Sequence, residues 1–151
     1  MSKKELNVSA IQNGTVIDHI AQGQVERVLH ILNLSMHEDQ IYFGANLDSK
    51  KYGKKGIIKV SNKFFEPEEI NKMALVSPTA SIIEIRNYDV IKKESVRIPD
   101  EIRGSVKCVN PNCITNHENM QTKFVVVNKE EIILKCHYCE KHTAKANIEF
   151  I

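Results

Sequence analysis

An α+β fold in two parts is what this sequence predicts, on three observations. Over the first two-thirds of the chain, short β-rich runs are interleaved with only two segments of helical periodicity. All four cysteines are confined to the last third, as Cys108-x4-Cys113 and Cys136-x2-Cys139. Between these regions lies a polar stretch, 94–104, interrupted by Pro99 and ending at Gly104, the composition of a boundary. The predicted division is 1–97 and 98–151.

Residues 7–12 and 15–20 read as short strands about Asn13-Gly14, the dipeptide that best supports a type I′ hairpin turn. In 24–34, Val25, Val28, Leu29 and Leu32 fall at helical spacing and form one apolar stripe. Residues 40–47 and 56–61 read as strands, with a basic loop over 48–55 between them. The next helix is the best delimited element. Pro67 occupies a first-turn position, Glu68 and Glu69 suit the positive end of the dipole, and Pro78 lies just past the end. Ile70, Met73, Ala74 and Val76 make its inward face. Residues 80–86 and 88–93 read as strands with Asn87 as the turn. With the opening strand set aside, the order through residue 86 is βαββαβ, the ferredoxin-like split βαβ arrangement, and 88–93 follows it. In the last third, 123–128 and 131–136 read as strands about Lys129-Glu130, and 143–150 as a last one, giving a small antiparallel sheet.

Two close cysteine pairs, twenty-two residues apart, can bring four thiolates to the corners of a tetrahedron once a hairpin folds them together. That is the donor set of structural Zn²⁺, with no position left for water or substrate. A rubredoxin-like iron cage has the same donors, and spacing does not separate the two metals. Disulfides would suit an exported chain, but residues 1–6 run into polar sequence with no apolar signal region. A unit of some fifty residues has little core, so metal binding free energy supplies folding free energy there.

No apolar run approaches the length of a membrane span, and the net charge is only +2. From 105 onward there are six lysines, no arginine and five glutamates. A zinc ribbon that grips nucleic acid needs Arg and Lys for phosphates and bases, so this charge count disfavours a transcription-type protein. A stand-alone small-molecule sensor on a zinc dimerisation module is the other alternative. Asp18 and His19 are an adjacent acid and imidazole, but strand neighbours point to opposite faces, and no nucleophile motif or Walker spacing supports an enzyme. Lysines 50, 51, 54, 55, 59, 92 and 93 can converge in a βαββαβ sheet as a polyphosphate site, whereas a solvated face is the default for lysine. Lys59, between Ile58 and Val60 within a strand, is the exception.

Several stretches taken together carry a resemblance. They are Gly14-Thr15-Val16-Ile17-Asp18-His19-Ile20, Ile57-Ile58-Lys59-Val60, Ile85-Arg86-Asn87-Tyr88-Asp89-Val90, Cys108-Val109-Asn110-Pro111-Asn112-Cys113-Ile114 and Lys135-Cys136-His137-Tyr138-Cys139-Glu140. On these the chain resembles the regulatory chain of aspartate carbamoyltransferase over both parts. The resemblance implies a non-catalytic subunit of pyrimidine biosynthesis in the cytoplasm, with an N-terminal domain for nucleoside triphosphates (ATP, CTP, UTP) and a C-terminal zinc domain, one Zn²⁺ per chain. Its partners would be the catalytic chain and a second regulatory chain, in an assembly of catalytic trimers and regulatory dimers, with neither nucleic acid nor membrane. The implied nucleotide pocket is Val8, Ala10, Ile11 and Val16, with Asp18 near base and ribose, His19, Lys59 and Lys93 near phosphates, and Tyr88 and Val90 flanking the base. Asn110, Asn112 and Glu140 are the implied contacts to the catalytic chain. Three positions depart from the family: Ile83 replaces a frequent Asn, Ala21 a frequent proline, and His137 a frequent lysine. The loss of an amide at 83 bears on the choice between purine and pyrimidine.

Overall fold

The computed structural model describes residues 10–151. The chain divides into two compact units, Met1–Val96 and Arg97–Ile151.

The first unit runs β1 (Gly14–Ala21), α1 (Val25–Ile31), β2 (Ile41–Ser49), β3 (Gly53–Ser61), α2 (Pro67–Val76), β4 (Ser81–Arg86) and β5 (Asp89–Ser95). The strands make one antiparallel sheet in the order β2-β3-β1-β4-β5. Alternation, interrupted by bulges, gives that sheet two different faces. On one, Thr15, Ile17, Ile58, Val60 and Ile82 are buried, as are Val25 and Val28 of α1 and Met73 and Ala74 of α2. Gly56 lies on this face directly under α1, where a Cβ would collide with Val25 Cγ2. α2 begins as its sequence predicts. Pro67 takes the first turn, and the Glu69 carboxylate accepts a hydrogen bond from the Glu66 backbone N–H at 3.1 Å. Its buried residues are Met73 to Val76, while Ile70 is only half-buried. α1 stops at Ile31, short of 34, because Asn33 adopts a left-handed conformation (φ 53°) and a 3-10 turn, Leu34–Met36, follows.

Several expectations are corrected. Residues 10–12 are not a strand, and β1 pairs with β3 and β4; the rest of the predicted opening strand, residues 7–9, lies outside the described residues. Gly14 is the first residue of β1, not a hairpin corner. Its φ of 147° and the closeness of the Val60 carbonyl, which a Cβ would strike, explain the glycine. The basic loop 48–55 is the end of a hairpin whose arms pair as far as Ser49 and Gly53. The polar stretch 94–104 is partly regular too, since β5 runs to Ser95 and β6 starts at Glu101. β5, expected over 88–93, follows βαββαβ as the fifth strand of the sheet.

The second unit contains β6 (Glu101–Arg103), β7 (Val106–Lys107), β8 (Lys123–Asn128), β9 (Ile133–Cys136), β10 (His142–Ala144) and β11 (Glu149–Phe150). One antiparallel sheet has the order β10-β9-β8-β6, and β11 pairs with β7. The single last strand predicted over 143–150 is thus two, in different sheets, separated by the 3-10 turn Lys145–Asn147. The Lys129-Glu130 connection extends over 129–132, closed by the Asn128 side chain accepting from the Glu131 N–H and by Ile132 at φ 56°. Ile102, Phe124, Ile132 and Leu134 are the largest fully buried side chains, a small core for such a unit. Among the described residues, no helix is long and apolar enough to cross a membrane.

Candidate functional site

In the second unit, β9 delivers Cys136 and the turn after it delivers Cys139, while the loop after β7 carries Cys108 and Cys113. The four Sγ atoms all lie within 4.8 Å of one another. Cys108–Cys139 and Cys113–Cys136 are 3.6 and 3.7 Å apart, far longer than a disulfide bond, and all four thiols are free. A tetrahedron with metal–sulfur bonds of about 2.3 Å has edges of about 3.8 Å, so the group fits a four-coordinate cation with no open position.

The loops around the sulfurs are built to hold them. Glu140, at φ 64°, donates its N–H to the Cys136 carbonyl at 3.0 Å and closes the Cys136–Cys139 turn. Asn110 accepts from the Asn112 N–H through its side chain and from the Cys113 N–H through its carbonyl, each at 3.0 Å. The Asn116 amide then bridges the Cys108 and Asn110 carbonyls at 3.0 and 2.7 Å. Burial pushes the Cys108 thiol up to about 12, against the opposing pull of the Asn110 backbone, and pushes Cys136 up too. Cys139 goes the other way. Burial raises it, but the Lys141 backbone, the Asn110 side chain and neighbouring thiols bring it down to about 7. Of the implied partner contacts, Asn112 and Glu140 are exposed, whereas Asn110 is half-buried and engaged within its loop. Asn116 was not singled out from sequence; an isolated Asn gives no signal of where its amide will reach.

In the first unit, register assembles a row. Lys59 on β3 is opposite Val16 on β1, Val16 is opposite Ile83 on β4, and Ile83 is opposite Lys93 on β5. Side chains directly opposite share a face, so these four lie across the side of the sheet away from the helices. Asp18, two residues along β1 from Val16, lies on the same side, as does Val90, opposite Ile85. Asp18 Oδ1 accepts from Lys55 Nζ at 2.8 Å. Burial lowers the pKa of Lys59 against the opposing charge of Asp18.

The Asp18–His19 pair departs from the alternation expected of it. β1 bulges between Ile17 and Ile20, and His19 takes up the extra residue at φ 56°. Its N–H reaches Asp18 Oδ1 at 2.7 Å, and its ring Nδ1 lies 3.8 Å from Oδ2. The lysine cluster also divides. Lys54 pairs with Asp48 at 2.6 Å and Lys92 with Glu94 at 3.4 Å, Lys50 and Lys51 are exposed at the hairpin tip, and Lys55, Lys59 and Lys93 occupy the face with Asp18. Lys55 was therefore underrated within the cluster. Only the hairpin register, extending into the expected loop, placed it.

Ala10, Ile11 and Tyr88 are brought together elsewhere, in a cleft of about 310 Å³ at the start of β1 shared with Asn13, Gln40 and Asn62. Val8 lies outside the described residues.

Two family models match this chain: "Aspartate carbamoyltransferase regulatory chain, allosteric domain" over residues 6–97 and "Aspartate carbamoyltransferase regulatory chain, metal binding domain" over 100–149. Among curated relatives, the aspartate carbamoyltransferase regulatory chain of Bacteroides thetaiotaomicron is 49% identical over 150 residues, covering 99% of this chain and 98% of that one. That of Thermococcus sibiricus is 51% identical over 138 residues, 91% of each. That of Porphyromonas gingivalis is 45% identical over 151 residues, the whole of both. A solved Spt4:Spt5 complex superposes with a TM-score of only 0.21, which does not establish a shared fold. With both family models and relatives of full length in agreement, this chain belongs to the family of aspartate carbamoyltransferase regulatory chains, non-catalytic subunits with an allosteric domain followed by a metal-binding domain.

Proposed function

We propose that the first unit binds nucleoside triphosphates on the face that carries Lys59, Val16, Ile83 and Lys93, and that the second docks onto the catalytic chain of aspartate carbamoyltransferase. The row is the observation that carries the reading. Two ammonium groups are set about 14 Å apart at their Cα atoms, three inter-strand steps, with an apolar floor between them and Asp18 beside it. Such a surface has cations for phosphates, a carboxylate for ribose hydroxyls, and the half-buried Ile83, backed by the buried Val16, as apolar contact for a base; His19 and Lys55 border the phosphate end. Tyr88 and Val90 flank the base, with Ala10 and Ile11 near it. Ile83 leaves this floor without an amide, so base discrimination depends on backbone groups. The sheet order β2-β3-β1-β4 supports a ferredoxin-like reading of the unit, extended by β5.

Zinc is the metal that suits four thiolates in a closed tetrahedron, one ion per chain, and its role is to fold the docking surface. Asn112, Glu140 and the exposed His137 are the side chains placed to touch the catalytic chain, and Asn110 shapes their loop. A reducing cytoplasm suits four unpaired thiols. A second regulatory chain pairs through the β2 edge, whose 40–47 stretch carries no charge and leaves Phe43 exposed. Nucleotides then act on pyrimidine synthesis by binding two quaternary states with different affinity.

Calorimetry with ATP and CTP, on the full chain alone and assembled with catalytic trimers, tests the reading. The expected result is binding in both samples and a change of activity in the assembly. Absence of binding ends the nucleotide assignment; binding without any change in activity ends the regulatory one.

A further inference from the structure

The turn that carries Tyr88 is built against its own preference. β4 and β5 are joined by two residues, Asn87 and Tyr88, with φ of 51° and 69°. Two consecutive left-handed residues are the signature of a type I′ hairpin, for which Asn-Gly is the favoured pair. Tyrosine at the second position is costly for a bulky L residue, and a strained position persists only where its surroundings over-determine it.

What determines it here is the segment just before β1. The Asn87 N–H donates to Asn13 Oδ1 at 3.1 Å, and the Tyr88 N–H donates to the Gln12 carbonyl at 2.9 Å. Asn13 also accepts, through its own carbonyl, the N–H of Asn62 at 2.8 Å, and Asn62 is itself left-handed at φ 59°. Asn13 therefore ties the β4–β5 turn and the end of β3 to the entry of β1. Asn13, Asn62 and Tyr88 all line the cleft shared with Ala10 and Ile11. The lysines lie elsewhere on the sheet, so this clasp touches no group proposed for the phosphates.

We propose that Asn13 is a positioning residue for recognition of the base: its side-chain oxygen fixes the strained Asn87–Tyr88 turn and so presets the Tyr88 and Val90 flank. This rests on the nucleotide reading above. A glycine at 88 would satisfy the turn with less strain, but the tyrosine brings a ring to the cleft lined by Ala10 and Ile11. The clasp is the means by which the turn tolerates it.

The test uses the full chain with Asn13→Ala, which removes the acceptor, and Asn13→Asp, which keeps one. Affinities for ATP, CTP and inorganic triphosphate are measured, together with hydrogen exchange at the Asn87 and Tyr88 amides. Loss of one hydrogen bond corresponds to roughly fivefold in affinity. Expected for Asn13→Ala is about that loss for both nucleotides, unchanged binding of inorganic triphosphate, faster exchange at the two amides, and recovery in Asn13→Asp. An equal loss for inorganic triphosphate, or no loss for the nucleotides, overturns the positioning role. If the unaltered chain binds inorganic triphosphate but gains nothing from a base, the role fails while the anion site stands. If it binds neither, the nucleotide reading itself fails, and faster exchange then reduces Asn13 to a purely structural clasp.

Discussion

Lys59 sits between two fully buried residues, Ile58 and Val60, on the strand next to the centre of the sheet. Burial lowers its pKa below the ordinary lysine value of 10.5, even with Asp18 opposing the shift. Such a base holds its proton less firmly folded than unfolded. Its destabilising contribution is therefore full at neutral pH and fades as pH rises from the lowered value toward 10.5. Lys59→Met is expected to raise the melting temperature at pH 7, with the gain shrinking as the pH approaches 10.5, which scanning calorimetry at several pH values will show. The same change should weaken triphosphate binding by about one to two decades, the loss of one charge-assisted contact. Opposite signs for stability and binding distinguish a functional lysine from one that only covers apolar surface. A lysine between isoleucine and valine was legible in the sequence as an oddity, but its neighbours were not. Asp18 and Lys55 meet only because β1 bulges at His19 and the hairpin extends into the expected loop.

At the scale of the element, the β4–β5 hairpin gives a contrast that sequence and structure can both be held to. Tyr88→Gly places the favoured residue at a left-handed position and is expected to raise stability by about 0.5–1 kcal/mol in denaturant unfolding, while lowering affinity for nucleotides. No gain in stability would mean that the Gln12 and Asn13 hydrogen bonds already remove the strain. α2 shows how far local chemistry reaches. Pro67, Glu69 and Pro78 bracket it in the sequence, and the structure begins and ends it there. The opening hairpin shows where it stops. Asn13-Gly14 is a strong turn signal, yet Gly14 is needed for the close approach of the Val60 carbonyl, and Asn13 for contacts to residues 62 and 87 that are far along the chain.

For the whole molecule, the separation into two units with very different cores leads to a separable response to metal removal. The second unit has a small core and a closed four-sulfur site, so most of its stability is expected to be metal binding energy. Chelation, or a thiol reagent, should abolish protection from hydrogen exchange across 97–151 and leave β1, β3 and β4 protected. Loss of protection in both units together would mean that they fold as one. Binding the metal requires thiolates, and Cys108 and Cys136 are thiols held high by burial. Loading should therefore release protons and weaken in acid, measurable by calorimetry in buffers of different ionisation enthalpy.

The sequence by itself determined the α+β class, the two-part division, the four clustered cysteines and the extent of α2. Each of these depends on spacing along the chain or on the chemistry of a few consecutive residues. Only the tertiary structure decided which residues face one another. Whether Lys59, Val16, Ile83 and Lys93 form one row, whether Asp18 meets Lys55, and whether Asn13 turns a corner or clasps a distant one all depend on strand order and register. A single-residue slip would send every one of those side chains to the opposite face, and register is set by the burial of Ile17, Ile58 and Ile82 on the other side of the sheet.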